Sequence, residues 1–310
     1  MSVDAILTHP RLKLFLALSR TPHGVVDIAT PALAALLCLG RFPPLFTTLL
    51  GVITVFAGYT AVYALNDLVD YRTDREKVRV GGYEDGEDFL DGVLVRHPLA
   101  KGVLTLTEGI LWAGGWAMVA MVGAWLLNPI CFAIFLAGGL LEAIYCLLWR
   151  VTPFRALING IVKSLGAVAA VYAVNPQPSI VFLIVLCGWI FLWEIGGQNI
   201  PNDWTDIEED RRFEARTIPV ELGLARAGLL ATACLVAAFL LTFLLVWISP
   251  LTFGMIHLLA LAGLGVWLLL LPVLRLVEAN RRQQAMDLFN RASHFPLSVF
   301  VVVLVRLLLF

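Results

Sequence analysis

Charge is scarce in this chain. Asp, Glu, Lys and Arg make up 15% of its 310 residues, against roughly 25% in an ordinary soluble domain. They also nearly cancel, 22 basic against 23 acidic for a net charge of −1. With no excess of one sign there is no extended basic surface for nucleic acid, and that partner is excluded. Cysteine is sparse too. Cys38, Cys131, Cys146, Cys187 and Cys234 all lie in apolar runs, and no two form a CxxC pair. They read as buried free thiols and not as a zinc or thiol-redox site. Met1–Arg20 lacks the short apolar core and small-residue cleavage site of a signal peptide, so the first span is expected to be retained. Within it, Ala5–Leu18 has two readings: an amphipathic helix on the membrane surface, or a simple lead into the first span.

What the chain does have is apolar residues, 60% of the total. Runs of about 18 or more with few charges are long enough to cross a hydrocarbon core as helices. Nine such runs are found, near residues 23–40, 45–66, 103–126, 129–149, 156–174, 179–200, 225–248, 251–274 and 294–310. The expected fold is therefore all-α, a single polytopic membrane domain over residues 1–310. Lys and Arg sort by side. They crowd the N-terminus and the connections after the second, fourth, sixth and eighth spans, while the opposite connections hold only Arg41. The positive-inside rule then puts the N-terminus on the cytoplasmic side, and an odd span count puts Phe310 on the other. The cell's inner (plasma) membrane is the expected location.

Two nine-residue segments read almost alike. Asn66-Asp67-Leu68-Val69-Asp70-Tyr71-Arg72-Thr73-Asp74 and Asn202-Asp203-Trp204-Thr205-Asp206-Ile207-Glu208-Glu209-Asp210 both spell NDxxDxxxD, each at the end of an even-numbered span. Residues at i, i+4 and i+8 line one helix face. Asn66, Asp70 and Asp74 satisfy that spacing, as do Asn202, Asp206 and Asp210, whereas Asp67 and Asp203 are offset by about 100°. Carboxylates stacked in this way repel one another. Magnesium relieves the repulsion, and it takes one or two carboxylates together with substrate phosphate oxygens. A pair of clusters therefore suits a diphosphate. A single DxxxD is as readily a solvated acidic helix end, but its repetition at equivalent positions favours a site. Asp85, Glu87, Asp88 and Asp91 show the contrast: they lie among glycines with no helical face and read as a solvated loop.

These segments resemble the UbiA-type intramembrane prenyltransferase superfamily. Arg96-His97-Pro98-Leu99-Ala100-Lys101-Gly102 is similar to the basic-Pro-Leu-Ala-x-Gly stretch that follows that family's first Asp-rich signature. The run from Gly197-Gln198 through Asp210, with Arg216-Thr217-Ile218-Pro219-Val220-Glu221-Leu222-Gly223 behind it, resembles the second signature. The resemblance implies a helical bundle around a central cavity, an isoprenyl diphosphate donor and two magnesium ions. The prenyl chain would pass to a small aromatic or lipid-precursor acceptor, with membrane lipid around the bundle; no protein partner follows from it. Residue by residue it assigns Asn66, Asp70, Asp74, Asn202, Asp206 and Asp210 to metal, with Asp67 and Asp203 close by in catalysis. Asp203 is the alternative holder or deprotonator of the acceptor. Arg72, Lys77, Lys101, Arg150 and Arg155 are its candidates for the diphosphate. Residues 67–102 and 203–224 become cytoplasmic cap loops carrying the motifs. Within the first, Arg79–Val95 is an acidic, Gly-rich insertion that departs from the family pattern.

Polar residues inside the spans cost about 2.5–3.5 kcal/mol each at a helix centre and so call for a reason. Lys163 follows Asn159 by four residues and is expected to face the bundle interior, reaching the diphosphate or an intramembrane acid, with a place in catalysis. Glu194 and Gln198 extend the second motif's face, although Pro201 is expected to kink the helix near Gly196-Gly197. Asp27, and His23 beside it, are first-span candidates for a substrate contact, and structural pairing is expected of Glu108 and Glu142. Tyr63 and Tyr145 are candidates to face an allylic cation, whereas Trp189 and Trp193 read as core. Two other activities fit parts of the pattern: a terpene cyclase of the same superfamily, and a divalent-cation or substrate transporter. The transporter is disfavoured because the acids sit at span ends and not in broken midplane helices.

Overall fold

A computed structural model describes residues 10–80 and 94–309, and every regular element in them is helical. Among the described residues nine helices are long and apolar enough to cross a membrane: Thr21–Leu39, Leu45–Val69, Leu106–Leu127, Pro129–Leu147, Arg155–Val174, Ile180–Thr205, Leu224–Ile248, Met255–Ala279 and Arg282–Leu309. The protein is an integral membrane protein. Its outer face is apolar, with Trp247 82% and Leu45 and Phe46 each 73% exposed, as befits a bundle whose solvent is lipid. The acidic loop expected around Asp85–Asp91 lies outside the described residues.

The core joins the first and fifth spans to the sixth to ninth. Trp189 and Trp193 are fully buried, and each finds a partner for its indole N–H: Thr242 Oγ1 at 2.9 Å and the Ala292 carbonyl at 2.8 Å. A satisfied indole is what allows so large a group inside. A smaller cluster of Leu18, Ala64, Leu99, Leu104 and Ala113 joins the N-terminal helix Pro10–Leu18 to the second and third spans. Of the two readings of the N-terminal stretch, residues 10–18 take the separate helix. They pack on protein, Phe15 stacking on Trp112 at 4.8 Å, and Arg20 in the left-handed region (φ 44) turns the chain into the first span. Glu108 closes a capping box with Thr105 and pairs with Arg11, a structural use of its charge.

Three spans differ from their expected extents for a reason local to the chain. The sixth continues to Thr205 through Pro201, which lacks an N–H and crowds the carbonyl four residues back. A π turn over Ile195–Asn199 absorbs this, with the Ile200 N–H bonded to the Ile195 carbonyl. The eighth repeats the device, Val266–Leu270 preceding Pro272. The ninth starts at Arg282 and not near 294, because its first twelve residues form a polar helix before His294 that no apolar run announces.

Candidate active site

The two acidic motifs meet across one cavity of about 290 Å³. Each runs through a single-residue break at its middle aspartate. Asp70 (φ −82, ψ −2) ends the second span before the helix Tyr71–Arg79, and Asp206 (φ −106, ψ 13) ends the sixth before Ile207–Arg212. The i to i+4 register survives: the Asp74 N–H bonds the Asp70 carbonyl at 2.9 Å and the Asp210 N–H bonds the Asp206 carbonyl at 2.8 Å. Asn66, Asp70 and Asp74 thus keep one face, as do Asn202, Asp206 and Asp210, and all six line the cavity. Asp67, Asp74, Asp203 and Asp210 are buried.

Cations bind the motifs to each other. Arg96 Nη2 stands 3.5 Å from Asp206 Oδ2, while His97 Nδ1 stands 2.9 Å from Asp74 and 3.4 Å from Asp67. Lys77 Nζ reaches Glu209 Oε1 at 3.0 Å over the Trp149 ring, and Arg20 Nη2 lies 3.4 Å from Asp67. Arg155 Nη2 donates to Asp203 Oδ1 at 3.3 Å. The Thr217 hydroxyl donates to Asp210 Oδ2 at 3.0 Å, which orients it from the segment behind the second motif. Beyond the span ends two carboxyls stay out of balance. Burial and the Asp74 charge push Asp70 up to about 6, and burial and Asp203 push Asp210 up to about 7. Burial opposes a charge on His97, but Asp74 and Asp67 prevail and raise its pKa.

Ligand atoms of Asp67, Asp74 and His97 lie within 4.8 Å of one another. Three such groups, with Asp70 close by and destabilised as an anion, are a donor set that a hard cation fits. Magnesium prefers oxygen ligands. The carboxylates suit it better than the imidazole, which as a cation supplies a countercharge of its own.

Below the motifs the wall stays polar. Lys163 Nζ donates to Asp27 Oδ2 at 2.5 Å and to the Tyr63 hydroxyl at 3.0 Å, and that hydroxyl also bonds Asp27. His23 Nε2 is 3.8 Å from Asp27 Oδ1. Glu142 accepts from Asn66 Nδ2 at 2.8 Å, and Glu194 accepts from Asn159 at 2.9 Å. Gln198 is tied to the ninth span, where its Oε1 accepts from Ser293. Deeper still, Tyr59, Val62 and Val162 line both this cavity and an almost wholly apolar chamber of about 320 Å³. Polar mouth and apolar chamber therefore share a neck.

A profile described as the UbiA prenyltransferase family matches residues 28–295. The chain belongs to that family. It is a prenyltransferase. Digeranylgeranylglyceryl phosphate synthase of Thermococcus kodakarensis is 24% identical over 232 residues, covering 74% of this chain and 77% of the relative. The protein of the same name from Methanosarcina mazei is 28% identical over 210 residues, 66% and 70% of the two chains. In fold the chain is similar to the apo UbiA homolog from Aeropyrum pernix, with a TM-score of 0.74 at 20% identity over 91% of this chain and 97% of that one. It also matches a UbiA homolog from Archaeoglobus fulgidus bound to DMAPP and Mg2+, with a TM-score of 0.64 at 16% identity over 94% and 99%.

Of the basic residues that the UbiA resemblance nominates, Lys77 and Arg155 line the cavity. Arg72, Lys101 and Arg150 stand outside its wall, and Arg150 pairs with Glu76 at 3.2 Å. Arg72 and Asp70 are two residues apart, about 200° around a helix, so Arg72 is exposed while Asp74 and Lys77 are buried. Lys163 is brought to Asp27 and Tyr63 below the motifs. Tyr145 lies beneath Arg155, whose guanidinium is 4.6 Å from the ring centre. Arg20, Arg96, His97 and Glu209 are the additions. Arg20 reads from sequence as a topology signal, and His97 sits in a turn with φ 51, where no periodicity points to it.

Proposed function

We propose that this cavity binds an isoprenyl diphosphate with divalent metal ions and passes the isoprenyl chain to a lipid-precursor acceptor of the glyceryl phosphate class, releasing diphosphate. The observation that carries the reading is the joining of two facing acidic motifs to an apolar chamber through one neck, a shape that matches a charged head on a long hydrocarbon tail. Asn66, Asp70 and Asp74 would hold one metal ion and Asn202, Asp206 and Asp210 a second. Magnesium, when bound, offsets the diphosphate charge as it leaves carbon.

The chain's own groups do the rest. Lys77 and Arg155, both in the wall of the mouth, would face the diphosphate. Lys163, held by Asp27 and Tyr63, adds a fixed cation in the wall, and such preorganised charge acts most strongly where water is excluded. Asp203 holds Arg155 in place, while Asp67 holds Arg20 and His97. The chamber takes the tail, and Tyr59 and Tyr63 present ring faces near the neck for an allylic cation. The acceptor class rests on the relatives, which carry the name digeranylgeranylglyceryl phosphate synthase. The sidedness of basic residues supports a cytoplasmic mouth.

The test is diphosphate release by purified protein given geranylgeranyl diphosphate, with and without magnesium, against glyceryl phosphate monoethers and hydroxybenzoates. Magnesium-dependent release coupled to formation of a diether supports the proposal. A cyclised hydrocarbon formed without any acceptor would instead mark a terpene cyclase, and metal flux without release a transporter.

A further inference from the structure

Glu194 stands in the cavity wall with its two carboxylate oxygens in opposite circumstances. It is 3% exposed. Oε1 accepts two amides, Asn159 Nδ2 at 2.9 Å from the fifth span and Asn199 Nδ2 at 2.8 Å from its own. Oε2 is buried and has no hydrogen-bond partner. A bare carboxylate oxygen in a wall this closed is costly unless something else meets it. The nearby cation Lys163 donates to Asp27 and Tyr63, and no hydrogen bond joins it to Oε2.

The chain takes trouble to set the carboxylate this way. Residues five apart on an α-helix point about 140° away from each other, so Asn199 in an unbroken helix would not reach Glu194. The π turn over Ile195–Asn199, required by Pro201, widens the backbone at that place and brings the two side chains together. Single π turns of this kind recur at functional sites. Asn159 then fixes the same oxygen from the neighbouring fifth span, leaving Oε2 as the free end.

We infer that Glu194 is the proton acceptor for the incoming nucleophile, and that the nucleophile is a hydroxyl. This rests on the prenyl-transfer reading above. The hydroxyl oxygen gives a lone pair to C1 of the donor. The bond from C1 to the diphosphate oxygen breaks, its electron pair leaving on the diphosphate, and the hydroxyl proton passes to Glu194 Oε2. Asn159 and Asn199 are positioning residues that aim the oxygen.

The experiment compares the wild type with Glu194→Gln and Asn199→Ala, using geranylgeranyl diphosphate and two acceptors: a glyceryl phosphate monoether and its analogue with a thiol in place of the reacting hydroxyl. A thiol, with pKa near 8.5, is partly ionised at assay pH and needs no base. Glu194→Gln should lower kcat for the hydroxyl acceptor about 100-fold with donor KM within about threefold, and should use the thiol within about threefold of wild type. Asn199→Ala should lower hydroxyl transfer about tenfold with thiol transfer likewise spared. Wild-type hydroxyl transfer by Glu194→Gln overturns the inference, as does equal loss on both acceptors in the two variants, which marks a structural role. Transfer by the wild type only to a ring carbon of 4-hydroxybenzoate overturns the hydroxyl assignment. A wild type that releases no diphosphate with any acceptor overturns the prenyl-transfer reading itself.

Discussion

Arg155, at the start of the fifth span, donates to Asp203 of the sixth across 3.3 Å, with side chains only 10% and 7% exposed. Breaking one side of a buried pair leaves the other charge uncompensated, at a cost of about 3–5 kcal/mol. Arg155→Met and Asp203→Asn should each lower stability by about that much in detergent melts, and the double variant should recover most of the loss. Single variants that melt like the wild type would remove this pair from the account of the mouth.

Asp70→Ala and Asp206→Ala should behave differently. Asp70 is raised to about 6 chiefly by burial and then by Asp74, so its charge opposes folding near neutral pH and its loss should leave the melt unchanged or higher. Turnover, by contrast, should fall at least about 100-fold for each variant. Steady-state rates beside thermal melts check this. Two folded and fully active variants would sink the metal assignment.

Protons and metal compete for the same oxygens. With Asp210 raised to about 7 and Asp70 to about 6, lowering the pH from 8 to 6 protonates most of the first and half of the second. Over that range apparent magnesium affinity should weaken about tenfold at the ion held with Asp210 and about twofold at the ion held with Asp70. The sign also sets metal-free stability: carboxyls whose pKa is raised on folding favour the fold more as pH falls through 7 and 6. Magnesium titrations of donor binding at several pH values, with apo melts alongside, read both effects. An affinity that does not change with pH would contradict them.

The apolar chamber should act as a ruler. Ala169 lies in its wall, and Ala169→Phe fills volume there without touching the mouth. The variant should prefer shorter isoprenyl diphosphates, with KM for the C20 donor rising about tenfold and that for a C10 donor little changed, since each excluded methylene forfeits about 0.8 kcal/mol. Competition between the two donors measures it.

Much of this was legible along the chain because it depends on local properties. A membrane span is a matter of run length and apolarity, so the nine runs match nine long apolar helices among the described residues, and the motifs keep the i, i+4, i+8 face that helical spacing implies. The Pro201 disturbance was readable as well, since proline's missing donor acts within one turn, but its form as a π turn was not. Arg72, Lys101 and Arg150 show where linear reading ends: a positive charge near a span end satisfies the topology rule on any face, and only packing says which face meets the cavity.

The sequence alone determined that this is a helical membrane protein with two repeated acidic motifs, since both follow from interactions within a few turns of one helix. Tertiary structure decided the site. It brought the second and sixth spans to one cavity, placed Arg96 and His97 between their motifs, joined the polar mouth to an apolar chamber, and turned Asn199 onto Glu194 while Asn159 reached the same oxygen from the fifth span. One of those relations, Arg96 with Asp206, joins residues 110 positions apart, and nothing in local periodicity encodes such distances. They arise from how helices pack in lipid, where buried polar groups must find one another because no water is there to take their place.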